Sequence, residues 1–214
     1  MKLNKRLLKR RSAEMPHGTA RSCMQSIILD LDCVVFDIAE SMQKAFAQET
    51  GKEIPVRDWH RYQLDVIYDR PMSLLLQAIV THQVLEQAEP DEGAAAAIHR
   101  LRNMGYHVIA CTNRSFHPDA FAMTQDSLIR HGIVLDGLVI NPDNHCKGLS
   151  CKSKAPDYSI FTHIIDDHCA NTESALRNGV AQEGVLITRP WNRYASKGSH
   201  TMRCGSLIEF AMRV

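Results

Sequence analysis

The sequence predicts an α/β protein with a parallel sheet that is covered by helices on both faces. Along the 214 residues, apolar runs of strand length alternate with longer segments of helical character. The strand-like runs are almost continuously apolar, which is typical of strands buried on both faces. With 44% hydrophobic and 23% charged residues, the composition is ordinary for a globular protein, and the length allows one domain with an inserted subdomain.

The predicted strands cover residues 27–31, 106–112, 136–140, 161–167 and 184–188. Helical segments lie between and after them, and several have recognisable ends. Pro71 and Pro118 suit the first turn of a helix, and Gly105 and Gly132 suit a left-handed cap. Asn171 is a suitable N-cap for the fifth helix. The predicted helices cover residues 39–51, 71–89, 91–105, 117–132, 171–179 and 206–214.

The charge distribution separates a basic tail from a mildly acidic body. Residues 1–11 contain six basic side chains and no acid, so the rest of the chain has 19 basic and 24 acidic residues, a net charge of −5. Such a tail suits contact with nucleic acid or with an anionic membrane surface. The plainer expectation is a solvated, flexible terminus over residues 1–25.

The cysteine content and the lengths of the apolar runs indicate in which cellular compartment the protein is expected. The seven cysteines are an odd number at scattered positions, which favours free thiols in a reducing cytosol. No apolar run approaches the ~18 residues of a membrane span, and charges interrupt the region where a signal peptide would be apolar. We therefore expect a soluble cytoplasmic protein without a membrane partner, and its oligomeric state stays open.

Polar side chains collect where three of the predicted strands end. The carboxyl ends of parallel strands meet at one edge of the sheet, so these side chains share a crevice. Four acids packed together without a cation raise one another's pKa values, and oxygen ligands suit Mg²⁺, so a magnesium site is predicted. The residues are Asp30 and Asp32 after the first strand, Thr112, Asn113 and Arg114 after the second, and Asp166 and Asp167 after the fourth.

Four stretches carry a family resemblance in their order and spacing: "ILDLDCVVFD", "VIACTNR", "KSKAPD" and "HIIDDHCANTESALRNG". Together they resemble the four motifs of the haloacid-dehalogenase-like hydrolase superfamily, over about 160 residues. The resemblance implies a Rossmann-like core and a phosphatase that works through an aspartyl-phosphate intermediate. The second acid, Asp32, argues against a dehalogenase, which needs no general acid there.

The resemblance also implies roles for these residues. Asp30 is the expected nucleophile, Asp32 the general acid and base, and Thr112 a ligand of a phosphoryl oxygen. Asn113 and Arg114 are expected to contact the substrate. Mg²⁺ is expected on Asp30, the backbone carbonyl of Asp32, and the carboxylates of Asp166 and Asp167, without a choice between these last two.

Two positions depart from the pattern or leave it ambiguous. Cys33 stands where the family usually has glycine, and we expect its side chain to crowd the turn after the first strand. The lysine of the third motif is assigned to Lys154, twelve residues before Asp166 in a "K-x-P" context. Lys152 and Lys147 are the alternatives.

The resemblance further implies a small helical cap at residues 39–89, inserted into a core formed by residues 26–38 and 90–214. Within the superfamily, the sequence is most similar to the 5′(3′)-deoxyribonucleotidase-like phosphatases, which implies substrate contacts from Asp37 and from Asn192 in "RPWN". Aromatic residues of the cap, Trp59 among them, either stack on a substrate ring or form the core of the cap.

These observations predict a Mg²⁺-dependent phosphomonoesterase that acts on a small phosphorylated substrate, with a nucleoside monophosphate as the first candidate. One alternative is a nucleic-acid-end phosphatase that uses the basic tail. Another is a non-catalytic protein that binds phosphate ligands on the same fold, and a phosphotransferase is a third. The sequence does not identify the physiological substrate.

Overall fold

A six-stranded parallel sheet forms the centre of the computed structural model, which describes residues 25–142, 147–154, 160–196 and 198–214. The strands are β1 (Ser26–Leu29), β2 (Phe36–Asp37), β3 (Glu89–Pro90), β4 (His107–Thr112), β5 (Gly137–Ile140), β6 (Phe161–Asp166), β7 (Ala181–Ile187) and β8 (Met202–Cys204). The order in the main sheet is β5-β4-β1-β6-β7-β8, with parallel pairing throughout. The predicted α/β architecture is confirmed.

Helices cover both faces of this sheet. Successive residues of the central strand point to opposite faces, and because these residues are apolar, both faces must be buried. Ile27 and Leu29 belong to the apolar cluster that includes α4 and α8, whereas Ile28 belongs to the cluster that includes α6 and α7. The helices are α1 (Ala39–Thr50), α2 (Leu64–Tyr68), α3 (Met72–Thr81), α4 (Ala94–Asn103), α5 (Ala120–Arg130), α6 (Lys147–Lys154), α7 (Cys169–Arg177) and α8 (Leu207–Arg213).

Three helices, α1 to α3, lie between β2 and β3, and this segment is called the cap below. β2 and β3 pair antiparallel, with Phe36 opposite Pro90, so the chain leaves the core and returns to it at neighbouring points. Phe46 and Tyr68 meet edge-on at 5.2 Å between ring centroids, and Trp59 packs against both. These buried rings hold the cap helices together.

The strand order determines where a site can form. β1 lies between β4 and β6, so the carboxyl ends of these three strands are adjacent. In an open parallel sheet, a crevice for ligands forms where the chain crosses from one side of the first strand to the other. Residues that follow β1, β4 and β6 therefore surround one point.

Several elements differ from the sequence prediction. β8, α2, α6 and the β2–β3 pair were not predicted, because each is short and depends on its neighbours for burial. The helix predicted over residues 71–89 ends at Thr81, close to Gln83, whose φ of 53° does not continue a helix. Asn171 lies inside α7, and His168 takes the N-cap position instead.

None of the helices in the described part of the chain is long and apolar enough to cross a membrane.

Candidate active site

The Asp30 carboxylate lies directly after β1 at the centre of the sheet edge. Its backbone N–H donates to the carbonyl of Ile165, 2.9 Å away, which extends the pairing with β6 by one residue. The side chain is buried, and its Oδ1 lies 2.7 Å from Lys147 Nζ and accepts from the backbone N–H of Leu31 at 2.8 Å. Oδ2 accepts no hydrogen bond from the described residues. One oxygen is therefore anchored and the other is available for chemistry.

Three carboxylates form a cluster at this point. One oxygen from each of Asp30, Asp166 and Asp167 lies within 4.8 Å of the others, and all three residues are buried. Lys147 Nζ lies 3.0 Å from Asp166 Oδ2, so the ammonium bridges two of the acids. The predicted gathering of acids from β1 and β6 is therefore present, with a buried lysine among them.

The electrostatics of the cluster are unfavourable without a cation. Burial raises the pKa of Asp30 well above its usual value, and the neighbouring acids raise it further against the attraction of Lys147. Burial and the charge of Asp166 raise the pKa of Asp167 to about 7. Burial opposes the charge of Lys147, but Asp166 and Asp30 raise its pKa well above the usual range.

The cluster fits a divalent cation in charge and in ligand type. Three carboxylates and one ammonium carry a net charge of −2 when all are ionised, which a divalent ion neutralises. Carboxylate oxygens are the ligands that Mg²⁺ prefers. The residues that would hold it are Asp30, Asp166 and Asp167.

The two acids after β6 have different surroundings. Both oxygens of Asp166 accept from Asn171 Nδ2 at 3.1 Å, and Oδ1 also accepts from the N–H of His168 at 2.8 Å. Asp167 Oδ2 accepts from Trp191 Nε1 at 2.8 Å, whereas its Oδ1 has no hydrogen-bond donor among the described residues. Asp167 therefore has the freer oxygen for a metal, and Asp166 is held more firmly by the protein.

Asp32 lies outside the three-carboxylate cluster but lines the same cavity, and it is fixed by residues that follow β4. Its carboxylate accepts three hydrogen bonds from Arg114, the shortest 2.6 Å, and one from Thr112 Oγ1 at 3.2 Å. Arg114 is completely buried, and its Nη1 also donates to Thr124 Oγ1 at 3.1 Å. The carboxylate of Asp32 is thus not among the clustered metal ligands. This does not bear on the predicted metal ligand at this residue, which was its backbone carbonyl.

Four of the predicted roles are corrected. Lys154 is exposed at the last turn of α6, and Lys147 from the first turn reaches the acids instead. Arg114 points into the protein and pairs with Asp32, so it is not a substrate contact. Asp37 is exposed and accepts from the N–H of Ala39 at the start of α1.

Asn192 is the fourth correction. It was expected to contact the substrate, but its side chain hydrogen-bonds within the protein and holds the site residues in place. Its side chain is buried, and Nδ2 donates to the carbonyls of Asp167 and Ile187, each at 2.7 Å. Its Oδ1 accepts from the N–H of Arg189 at 3.0 Å. All its hydrogen-bonding atoms therefore have partners within the protein, and it positions the loop that carries Asp167.

Asn113 lies at the cavity, and its contact with a substrate stays a prediction. It is exposed, it lines the cavity above the acids, and its Oδ1 accepts from Asn141 Nδ2 at 2.6 Å. The basic residues of the N-terminal tail lie outside the described residues, so contact with nucleic acid stays a prediction.

Cys33 adopts the left-handed backbone conformation that favours glycine, with φ of 61°. Its N–H donates to the carbonyl of Phe36 at 2.7 Å, and its carbonyl accepts from Arg189 Nε at 2.8 Å. A side chain in this conformation is strained by roughly 1–2 kcal/mol. The expected crowding thus takes the form of backbone strain in a buried turn, with the thiol lining the cavity.

Sequence reasoning missed the roles of Asn171 and Trp191, and it ranked Lys147 as an alternative below Lys154. A signal for Lys147 was its neighbour Gly148, since a Cβ there would lie 3.0 Å from a methyl group of Val180. A helix that packs so closely brings its first residues against the sheet edge. Trp191 lies beside Asn192 in "RPWN", and the family resemblance implied a role for the asparagine alone.

Comparison with solved structures supports the fold. The sequence matches no protein-family model and no curated protein. Among solved structures, it is similar to a predicted phosphatase from Clostridium acetobutylicum, with a TM-score of 0.62 and 16% identity over 90% of this chain and 98% of the other. It is also similar to D,D-heptose 1,7-bisphosphate phosphatase from B. bronchiseptica, a complex with magnesium and phosphate, with a TM-score of 0.53 and 17% identity over 89% and 97% of the two chains.

A third similar structure is an L-2-haloacid dehalogenase from Xanthobacter autotrophicus, with a TM-score of 0.57 and 10% identity over 88% of this chain and 97% of the other. At these identities, the similarity establishes the fold alone. The chain has the α/β fold of haloacid-dehalogenase-like hydrolases, a fold that carries both phosphatase and dehalogenase chemistry.

Proposed function

We propose that this protein is a Mg²⁺-dependent phosphomonoesterase in which Asp30 forms an aspartyl-phosphate intermediate. The observation that carries the proposal is the half-anchored Asp30 carboxylate inside a cluster of three acids and one lysine. The free Oδ2 suits nucleophilic attack, because Oδ1 is held by Lys147 and by the Leu31 amide. A covalent intermediate divides one difficult displacement into two easier ones.

In the first step, an Asp30 oxygen attacks phosphorus and the bond from phosphorus to the ester oxygen breaks. The leaving oxygen takes a proton from the Asp32 carboxyl group. In the second step, Asp32 removes a proton from water, whose oxygen attacks phosphorus, and the Asp30–phosphate bond breaks to release inorganic phosphate. When bound, Mg²⁺ would neutralise charge that develops on the phosphoryl oxygens.

The surrounding residues keep these groups in place. Thr112 Oγ1 and the Arg114 guanidinium hold the orientation of Asp32, and Lys147 offsets negative charge beside Asp30. Donors fixed in advance stabilise the transition state without reorganising during the reaction. Trp191 fixes Asp167, the acid with the freer oxygen.

Asp32 and the metal-ligand cluster support phosphatase over dehalogenase chemistry. Displacement of a halide by a carboxylate needs neither a proton donor for the leaving group nor charge neutralisation of a phosphoryl group. The similar structures include a phosphatase and a dehalogenase, so the assay must separate the two reactions.

The test is phosphate release from a panel of phosphomonoesters with and without Mg²⁺, alongside halide release from 2-haloacids. Asp30→Asn keeps the shape of the side chain and removes the nucleophile. We expect Mg²⁺-dependent phosphate release that this variant lacks. Halide release without metal, or full phosphate release by Asp30→Asn, would contradict the proposal.

The finer predictions remain part of this proposal. The substrate is a small phosphomonoester, and a nucleoside monophosphate belongs in the panel. We also propose a cytoplasmic location, which is supported by the five cysteines of the described residues, all free thiols.

A further inference from the structure

A cavity of about 150 Å³ lies between the acids and the cap. Asp30, Asp32, Asp167 and Lys147 line it from the core, and residues of all three cap helices line it from the other side. Any group bonded to a phosphate oxygen at Asp30 has this cavity beside it. The walls of the cavity therefore bear on which leaving group the site accepts.

The buried cap walls are apolar. Phe46 and Leu75 are fully buried and Ile79 is nearly so, and the other buried cap residues that line the cavity are apolar too. Trp59 is the one of them with a polar side-chain atom, and its Nε1 already donates to the carbonyl of Ile54 at 3.3 Å. The buried walls therefore offer a substrate apolar contacts, whereas Arg61 and Tyr62 of the cap also line the cavity and carry hydrogen-bonding groups.

An aromatic series runs from the acids into the cap. Trp191 donates to Asp167, its ring lies 5.9 Å from that of Trp59, and Trp59 lies 6.3 Å from Phe46. The apolar surface thus begins next to the phosphate-binding end and continues into the cap. Arg61, Tyr62 and Asn113 are exposed residues that also line the cavity. Burial of the Tyr62 hydroxyl raises its pKa, and the charges of Asp167 and Lys147 are close enough to act on that pKa too, so the hydroxyl belongs to the polar end near the acids.

The size of the cavity selects among leaving groups. An apolar protein cavity of about 150 Å³ binds benzene. A nucleoside contains a base and a sugar, so part of it would extend beyond this volume toward the exposed residues Arg61 and Asn113. Any of its hydroxyl groups held against the apolar walls would lose water without gaining a partner. A single six-membered ring or a branched aliphatic group of similar size fits the cavity both in volume and in its lack of hydrogen-bonding groups.

We infer that the cap cavity binds an apolar leaving group of about the size of benzene, so that the preferred substrates are phosphomonoesters of small apolar alcohols. The inference rests on the proposed phosphatase function. In this arrangement, the polar residues of the core bind the phosphate and the apolar residues of the cap bind the alcohol. Nucleoside monophosphates are then poor substrates.

The experiment compares kcat/KM for four primary alkyl esters: methyl phosphate, cyclohexylmethyl phosphate, glycerol 1-phosphate and adenosine 5′-monophosphate. Their leaving groups are all primary alcohols, which limits differences in intrinsic reactivity. We expect cyclohexylmethyl phosphate to exceed glycerol 1-phosphate by about 10- to 100-fold, the effect of burying one apolar ring. Adenosine 5′-monophosphate should fall below both.

Variants on α3 connect the preference to the cavity. Leu75→Phe adds bulk to a wall, and it should reduce the ratio of cyclohexylmethyl to methyl phosphate by about tenfold. Leu74→Phe is the matched control, because Leu74 lies on the same helix but does not line the cavity. Should Leu75→Phe fail to fold, Met72→Trp makes the same test from a lining position that is 38% exposed.

The outcomes separate the two proposals. If Asp30-dependent hydrolysis occurs but glycerol 1-phosphate or adenosine 5′-monophosphate is preferred, the inference about the cavity is wrong and the phosphatase function stands. An unchanged substrate ratio in both Leu75→Phe and Met72→Trp also overturns the inference. If no ester, methyl phosphate included, releases phosphate in an Asp30-dependent way, both proposals fail.

Discussion

The ion pair between Arg114 and Asp32 should contribute more to stability than any exposed pair in the protein. The Arg114 side chain is fully buried, whereas 25% of the Asp32 side chain is accessible from the cavity. In Arg114→Met, the apolar stem is largely retained and the guanidinium is lost, which leaves Asp32 with Thr112 as its one side-chain donor among the described residues. Removing one partner of a buried pair typically costs about 3–5 kcal/mol.

The accessible fraction of Asp32 puts the expected cost near the lower bound, about 3 kcal/mol, because water can reach the carboxylate. For a chain of this length, that corresponds to a fall in melting temperature of roughly 6–12 °C. The converse variant, Asp32→Leu, buries an unpaired guanidinium that water does not reach, so it should cost at least as much.

A double-mutant cycle tests this reasoning by urea unfolding of the wild type, Arg114→Met, Asp32→Leu and the double variant. We expect the double variant to be more stable than the sum of the single effects predicts, by about 2 kcal/mol or more, because the apolar pair leaves no buried charge. Additive effects, or a cost below about 1 kcal/mol for Arg114→Met, would refute the argument.

Three further predictions concern other positions. Lys147→Met should lower kcat/KM for phosphate release at least about 100-fold, because it removes the charge beside Asp30, whereas the exposed Lys154→Met should not. Cys33→Gly should change the free energy of unfolding by less than about 1 kcal/mol, because relief of strain offsets lost burial; Cys33→Val should cost more than about 2 kcal/mol. Asp136→Asn should cost about 1 kcal/mol at pH 7. Burial raises the pKa of Asp136, but hydrogen bonds from Arg102 and the Val108 amide outweigh it and lower that pKa overall.

The sign for Asp136 follows from its lowered pKa in the folded state. Its stabilising contribution is complete above the unfolded pKa of about 4 and is lost as the pH falls through the folded pKa. Urea unfolding from pH 7 to pH 3 should therefore show the Asp136→Asn difference shrinking below pH 4. A stability difference that stays constant with pH would count against the ion pair with Arg102. Undiminished phosphate release by Lys147→Met would count against the role assigned to that lysine. For Cys33, equal stability of the Gly and Val variants would exclude backbone strain.

Much of the core and of its acids was predictable because both depend on local patterns. Continuous apolar runs predict buried parallel strands, and parallel strands bring their carboxyl ends together. The positions of Asp30, Asp166 and Asp167 follow from that rule, and the structure places them within 4.8 Å of one another. The motif "ILDLDCVVFD" therefore already located Asp30, the residue at the centre of the site.

The errors occurred where a residue's position depends on distant parts of the chain. Spacing favoured Lys154, but the direction in which α6 packs brings Lys147 to the acids, and no local pattern specifies that direction. Arg114 follows a strand just as Thr112 does, yet it turns inward because Asp32, 82 residues earlier, supplies its counter-charge.

The sequence by itself determined the fold class, the edge of the sheet at which the acids meet, and the chemistry that those acids favour. Tertiary structure alone decided which lysine joins them, that Asp37 lies exposed beside the start of α1, that Asn192 supports Asp167, and that apolar cap residues line the cavity above the acids. The physical reason is that periodicity and strand ends are properties of neighbouring residues, whereas pairing and enclosed volume arise only when separate elements pack together.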